Sequence, residues 1–236
     1  MRRIFLVRHG ETDWNREGRF QGRRDTPLNN WGRRQARSAA GALLRSSVDR
    51  VVSSPLSRAA GTAEATASLL GLGLETHPGL IEIDHGLWEG HTAGEVESLW
   101  PGMLTLWRSR PEEVTMPGGE NLHEVSRRAW GAFREILAGP GDTLALFSHD
   151  AVLKVLLCRV FDAPLGSFWR FRLGNGSITL LEETPRGLEV LVLGEACHLG
   201  SAGERVGQAG IERRSDPDDD PRGQARLRGQ PGHHGV

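Results

Sequence analysis

Three short apolar runs punctuate the chain, and each leads directly into polar or charged residues. They are Ile4-Phe5-Leu6-Val7 before Arg8-His9-Gly10, Val51-Val52 before Ser53-Ser54-Pro55, and Leu144-Ala145-Leu146-Phe147 before Ser148-His149-Asp150. Unbroken apolar runs of this kind predict strands buried on both faces, as in parallel sheets. Between them the apolar positions take helical spacing. Helices are predicted over Asn30 to Leu44, over Ala59 to Leu70 with Gly71 as the stop, and over Ala151 to Phe161. Pro55 is expected near the first position of the second of these helices, whose first turn offers Arg58. Asn121 with Glu124 three residues on has the form of a capping box, and Leu122, Val125, Ala129, Phe133 and Leu137 follow as one buried face. Leu74 to His77 reads as a further short strand, and Ser177 to Glu182 with Leu188 to Leu193 as a hairpin at a sheet edge. Strands alternating with helices predict an α/β fold.

Two stretches break the pattern. Gly10 to Pro27 is polar and rich in arginine, glycine and asparagine, and a loop of that length inside a compact domain is usually functional. From Gly79 to Gly119 the periodicity weakens, with helical stretches near Ala93 to Trp100 and Met103 to Ser109; this segment carries Glu82 and is expected to fold over a binding site as a lid. Beyond Gly200 the chain turns to glycine, proline, arginine and aspartate, which cannot bury enough apolar surface to offset the entropy of ordering. The expected organisation is one domain over residues 1–200 and a disordered low-complexity tail over 201–236.

Composition narrows the function classes. A formal net charge of -1 argues against a dedicated nucleic-acid surface or a polybasic membrane patch. Cationic charge is almost all arginine, with Lys154 the only lysine. Two cysteines, Cys158 and Cys197, offer no disulfide framework, and no apolar run approaches the roughly 20 residues of a membrane span. No secretory leader precedes the first strand, so a soluble cytoplasmic protein is expected.

The chemistry follows from where the strands end. In open α/β sheets ligands gather beyond the carboxyl ends of the strands. If the three apolar runs lie parallel and side by side, Arg8, His9, Arg58 and His149 converge on one crevice. Two guanidiniums and two imidazoles together call for an anion, and phosphate is the natural candidate because guanidinium forks match its oxygens.

Six ordered segments then resemble the motifs of the histidine phosphatase superfamily, in its phosphoglycerate-mutase-like branch. They are Arg8-His9-Gly10-Glu11-Thr12 with Asn15, Arg19-Phe20-Gln21-Gly22 with Asp25 and Leu28, Ser53-Ser54-Pro55-Leu56-Ser57-Arg58-Ala59, Glu82 ahead of Gly86-Leu87-Trp88-Glu89-Gly90, Gly118-Gly119-Glu120, and Ser148-His149. The resemblance implies a three-layer αβα sandwich around a mostly parallel central sheet. Shorter segments, Ile81 to Trp88, Ser167 to Phe171 with Asn175, and Cys197-His198-Leu199-Gly200, resemble metal-independent phosphoserine phosphatases, in which the histidines matching His85 and His198 lie near the amino-acid end of the substrate.

On this reading His9 is the nucleophile, forming a phosphohistidine, with a backbone carbonyl holding its other ring nitrogen so that the attacking nitrogen carries no proton. Arg8, Arg58 and a protonated His149 surround the transferring group. Glu82, flanked by Ile81 and Ile83, is the general acid, with Asp84 and Glu89 as rivals; Glu11 is expected to pin the loop. The substrate contacts are assigned to Asn15, Gln21, Gly22, His85, Asp150 and His198. Asp150 stands where glycine or threonine is more usual, and is read first as the N-cap of the following helix, with attraction of a substrate ammonium as the alternative. No metal and no cofactor are expected. The expected partner is a small phosphorylated metabolite, best guessed as L-phosphoserine, with an edge-strand homodimer possible. A phosphoglycerate mutase, a ribazole-phosphate phosphatase and a non-catalytic phosphate-binding module are the alternatives.

Overall fold

Every side chain of Ile4-Phe5-Leu6-Val7 is buried, Ile4 and Leu6 in one apolar cluster and Phe5 and Val7 in another. A strand with no wet face needs a layer on either side, and the rest of the chain supplies both. In the computed structural model, which describes residues 2–204, the elements follow in the order β1 (Arg3–Arg8), α1 (Asp13–Glu17), α2 (Asn30–Leu43), β2 (Arg50–Ser53), α3 (Ser57–Leu70), β3 (Leu74–Thr76), α4 (Ala93–Leu99), α5 (Met103–Ser109), α6 (Leu122–Ala138), β4 (Thr143–Ser148), α7 (Asp150–Val160), β5 (Ile178–Thr184) and β6 (Gly187–Glu195). They build one six-stranded sheet in the order β3-β2-β4-β1-β5-β6. The first four strands are parallel, and the β5–β6 hairpin closes the sheet antiparallel to β1.

Helices α2 and α3 cover the face carrying Phe5, Val7 and Val51, through Ala39, Leu43, Ala63 and Ala67. Helices α6 and α7 cover the face carrying Ile4, Leu6 and Val52, and the segment from Leu80 to Met116 extends that layer through Ile83, Trp88, Leu104 and Trp107. The result is the αβα sandwich that the resemblance implies. Register brings the strand ends level: Arg8 stands opposite Ser148, and Ser53 opposite Phe147. The residues that follow the three strands therefore open at one edge of the sheet.

Four local differences have simple causes. The long loop contains the short helix α1, started by a capping box between Thr12 and Asn15, a variant of the usual Ser/Thr-x-x-Glu/Gln form. Helix α3 begins at Ser57 with Leu56 as its uncapped N-cap, so Pro55 lies just outside the helix, not inside its first turn. Helix α7 begins at Asp150, one residue earlier than predicted. Two short helical turns over Cys197–Glu204, broken by a non-helical kink at Gly200, cross the boundary expected at residue 200; the rest of the expected tail, 205–236, lies outside the described residues. No helix among the described residues is long and apolar enough to cross a membrane.

The loop after β1 meets α2 backbone to backbone, and the Glu11 amide also donates to the Gln35 side chain at 2.8 Å. A Cβ at Gly10 would lie 2.4 Å from the Gly32 carbonyl oxygen, and one at Gly32 would lie 2.0 Å from that of Glu11. Glycine is needed at both positions because no side chain fits between the two backbones. Overpacking of this kind costs about 1–3 kcal/mol, so Gly32→Ala should lower Tm by about 2–12 °C. Gly41→Ala on the same helix, where nothing lies within 4 Å of the added carbon, should raise it. Thermal unfolding of both variants checks this, and an unchanged Tm for Gly32→Ala would contradict the close approach.

Candidate active site

The ends of β1 and β4 are tied by a backbone bond, His9 N–H to the Ser148 carbonyl at 3.0 Å, which sets His9 beside His149. Their ring centroids are 5.2 Å apart. Arg8, His9, Asn15, Gln21, Gly22, Arg58, Glu82, His85 and Asp150 line one cavity at this point, with Phe20, Trp107, Phe168 and Trp169 as its aromatic wall. His149 lies fully buried behind His9, its Nε2 2.8 Å from the Ser54 hydroxyl.

The loops that carry these side chains are cross-braced. The Gly10 amide donates to the Thr62 hydroxyl at 3.0 Å, and that hydroxyl donates to the Arg58 carbonyl at 2.7 Å. Arg58 donates to the carbonyls of Gly22 and Arg24, both at 2.8 Å, so it supports the loop that forms the cavity mouth. Gly22 takes φ +54°, and a Cβ there would strike the Glu89 carboxylate at 2.1 Å. The Oδ1 of Asn15 accepts from the Thr12 amide, and Gln21 Oε1 accepts from the Thr12 and Thr26 hydroxyls, which leaves their amide nitrogens as the groups either can offer a ligand.

Hydrogen bonding fixes the tautomer of His9. Its Nδ1 lies 2.7 Å from the Gly10 carbonyl oxygen, which can only accept, so Nδ1 carries the proton and Nε2 does not. Burial, reinforced by the Arg58 and Arg8 guanidiniums, holds the ring well below the ordinary imidazole range. His149 is lowered in the same way, by burial first and then by Arg58 and His9. In the free site His149 is thus held towards its neutral form, whereas the protonated His149 expected from sequence belongs to the site with a phosphoryl group in it. Burial pushes the Glu82 carboxyl up, and the Asp150 carboxylate adds to the effect against Arg58 and Arg8. Burial lowers Arg58 to about 10, still cationic at neutral pH.

Residues 4–196 match the family model of the histidine phosphatase superfamily, branch 1. The chain belongs to this superfamily. It is 34% identical over 201 residues to phosphoserine phosphatase 1 of Hydrogenobacter thermophilus, covering 85% of this chain and 95% of that one. It is 34% identical over 208 residues to the probable phosphoglycerate mutase GpmB of Cronobacter sakazakii, covering 84% and 95%. The solved structure of a mycobacterial glucosyl-3-phosphoglycerate phosphatase in complex with VO3 superposes with a TM-score of 0.77 at 29% identity, covering 83% of this chain and all of that one. Family membership and the phosphatase relatives support a phosphoric monoester hydrolase.

Within this superfamily member, ten of the eleven residues singled out from sequence are brought together, nine of them at the cavity surface and His149 behind it. His198 is not. Its ring nitrogens lie 2.9 Å from the Glu195 carboxylate and 3.0 Å from the Gly176 carbonyl, and it lines no part of the cavity. It braces the turn whose Gly176 amide donates to the Arg8 carbonyl, which corrects its assignment as a substrate contact. The N-cap reading of Asp150 is corrected too. His149 is the N-cap and makes no side-chain cap bond, while the Asp150 carboxylate reaches Arg8 at 3.1 Å and Lys154 at 2.7 Å.

Of the rival carboxylates, Asp84 bonds the Gly86 amide at 2.8 Å and Glu89 the Arg23 amide at 2.7 Å, and neither lines the cavity. Glu11 accepts from Asn29 at 2.8 Å, as expected of a loop pin. Burial, then Arg58, pushes His85 down to about 4, so it faces the cavity as a neutral ring between Phe20 and Trp107.

Sequence reasoning gave no role to three residues, of which Asn175 entered only within the resemblance. Arg128 of α6 donates to the carbonyls of Gly79, Ile81 and Glu82 and pairs with Glu120, holding the backbone around Glu82. Asn175 donates to the His9 carbonyl at 3.0 Å. Lys154 was noted only as the sole lysine, although its spacing of four from Asp150 signals a helical ion pair. Among the described residues no group of three or more His, Cys, Asp or Glu side chains is gathered as a metal would require.

The buried Nδ1 of His149 and Nε of both Arg8 and Arg58 have no hydrogen-bond partner among the described residues. A dianion brought against these groups favours the imidazolium form of His149. Phosphate or vanadate binding at pH 8 should therefore take up about one proton per site. Calorimetry in buffers of different ionisation enthalpy measures it, and a zero count would mean that His149 stays neutral in the complex.

Proposed function

We propose that this chain is a phosphomonoesterase that works through a phosphohistidine on His9. The observation that carries the reading is the Nδ1 bond to the Gly10 carbonyl, which leaves an unprotonated, buried Nε2 in the cavity that Arg8 and Arg58 line. Phosphate monoesters resist hydrolysis because the phosphoryl group repels nucleophiles and the leaving alkoxide is strongly basic. A neutral imidazole answers the first difficulty, since it attacks phosphorus without bringing negative charge. A carboxyl held protonated by burial answers the second: Glu82 gives its proton to the leaving oxygen, then accepts one from the water that cleaves the phosphohistidine.

The charge balance suits a dianion. The Asp150 and Lys154 charges offset one another, the three imidazoles are neutral in the free site, and Glu82 is raised towards neutrality, which leaves the charges of Arg8 and Arg58 to meet the phosphoryl oxygens. Asn15 and Gln21 offer amide donors, and His149 gains its proton as the dianion arrives.

A small phosphorylated metabolite fits the aromatic-walled cavity. L-Phosphoserine is the first substrate to try, on the strength of the Hydrogenobacter relative and of His85 at the cavity. Hydroxyl-to-hydroxyl transfer is the second reading, favoured by the relative described as a probable phosphoglycerate mutase, and it uses the same groups. Assay of 3-phosphoglycerate for isomer and free phosphate together separates the two.

Loss of one donor from an electrostatic site typically costs about 2.7–4 kcal/mol, so Arg8→Ala and Arg58→Ala should each lower kcat about 10²–10³-fold. His9→Ala should abolish both turnover and the acid-labile phosphoenzyme trapped by rapid quench; hydrolysis at the parent rate would end the proposal. Glu82→Gln should cost about 10²–10⁴-fold on alkyl phosphates. It should cost far less on p-nitrophenyl phosphate, whose leaving group needs little proton assistance.

A further inference from the structure

The one lysine of the chain is buried completely, and its partner stands at the reaction site. Lys154 has no exposed surface, and its ammonium lies 2.7 Å from the Asp150 carboxylate, one helical turn away on α7. The same ammonium sits 4.4 Å from the centroid of Trp169 and 4.9 Å from that of Phe168, two rings of the cavity wall. Lys154 itself does not line the cavity, so the aromatic wall separates it from any ligand. On its other side Asp150 meets the guanidinium of Arg8 at 3.1 Å, and Arg8 also donates to the Leu173 carbonyl. The residue after Asp150 donates its backbone N–H to Glu82, from Ala151 to Oε1 at 3.2 Å.

Burying an ion pair away from water is costly, and an apolar pair of similar shape is often as stable or more so. Stability therefore gives no reason for this pair, whereas its position does. We infer that Asp150 and Lys154 are positioning residues: Asp150 anchors the Arg8 guanidinium and presents a fixed negative charge to the carboxyl of Glu82, and Lys154 holds Asp150 ionised and in place from behind the aromatic wall. The inference rests on the reading of Glu82 as the proton donor. It gives the two carboxyl groups of the cavity opposite duties, one kept protonated and one kept charged.

The titration directions agree. Burial alone would raise the Asp150 carboxyl, but Lys154 and then Arg8 outweigh it and hold it below the usual carboxylate range. Glu82 moves the other way, by burial and then by the Asp150 charge. The groups around Glu82 are Asp150 and Lys154 from α7, Arg58 from α3, Arg8 from β1 and Arg128 from α6, with His9, His85 and His149 present as neutral rings. Asp150 is the negative charge among the groups that act on Glu82. On the far side of Asp150 the Lys154 ammonium serves one carboxylate and two ring faces at once.

The test is the pH dependence of kcat/KM on an alkyl phosphate such as L-phosphoserine, whose leaving group needs the proton. Activity falls as pH rises through the pKa of Glu82. Asp150→Asn removes the charge that raises that pKa, so the alkaline limb should move towards acid by on the order of one pH unit. The double variant Asp150→Asn with Lys154→Met removes one charge of each sign, and because Lys154 acts on Glu82 more weakly than Asp150 does, its limb should come back only part of the way to the parent position. Its kcat/KM should stay about 10- to 100-fold low, because Arg8 has still lost its charged anchor. Should Asp150→Asn fail to fold around an unpaired ammonium, the double variant decides alone, and parent-like kcat/KM in a protein of parent-like Tm would overturn the inference. An unmoved limb in folded Asp150→Asn would overturn it too, as would loss of the limb altogether, which would make Asp150 itself the donor. Glu82→Gln separates the two levels. If it abolishes the limb while Asp150→Asn leaves it in place, the pair has no such role and the donor reading stands; if it leaves the limb unchanged, the donor reading fails first.

Discussion

One backbone hydrogen bond organises the site, that from the His9 amide to the Ser148 carbonyl. It continues the parallel ladder between β1 and β4 one residue past the last strand pair, at the point where both chains leave the sheet. Two imidazoles that are 140 residues apart in sequence thereby stand ring to ring, with no contact between their side chains needed to hold them there. Side-chain geometry at the site is thus inherited from sheet register, which the buried apolar faces of both strands enforce: a slip of one residue would turn Ile4 and Leu6 to the wrong layer.

Given that scaffold, burial sets the protonation states. A site open to water would leave its histidines and Glu82 near their ordinary values. Here the imidazoles are driven neutral and the glutamic acid is driven towards its protonated form, the states that attack on phosphorus and departure of an alkoxide call for. The cost is a pair of guanidiniums in a confined space, partly met by the carbonyls of Gly22, Arg24 and Leu173 and by Asp150. These neighbours orient Arg8 and Arg58 before any ligand arrives, and preorganisation of that kind is what electrostatic catalysis requires.

Most of the fold was legible because its signals are local. Apolar runs marked β1, β2 and β4, the capping box at Asn121 marked α6, and Gly71 closed α3 in the left-handed conformation that favours glycine there. The cluster of His9, Arg8, Arg58, Glu82 and His149 was legible for the same reason, since each lies at or just past a strand end or in a recognisable motif. Failures came where a side chain's partner is distant in sequence or where two roles share one residue type. His198 satisfies both ring nitrogens on Glu195 and Gly176, so a histidine that looked available is fully engaged. Asp150 is of an N-cap residue type, but it stands at the first helical position, and its carboxylate pairs with Lys154 and with Arg8, 142 residues away. Lys154 carried the i,i+4 signal without any sign of its burial, because only the assembled aromatic wall hides it.

The grip of Arg128 on the backbone of Gly79, Ile81 and Glu82 has a mechanical corollary. Three carbonyls on a single guanidinium rivet the root of the Glu82 side chain to α6, and Glu120, held by the same guanidinium, extends the tie to the Asp84 amide. The direction of the Glu82 carboxyl into the cavity is thereby set by α6, and does not depend on the segment that carries His85 and Trp107 across the mouth.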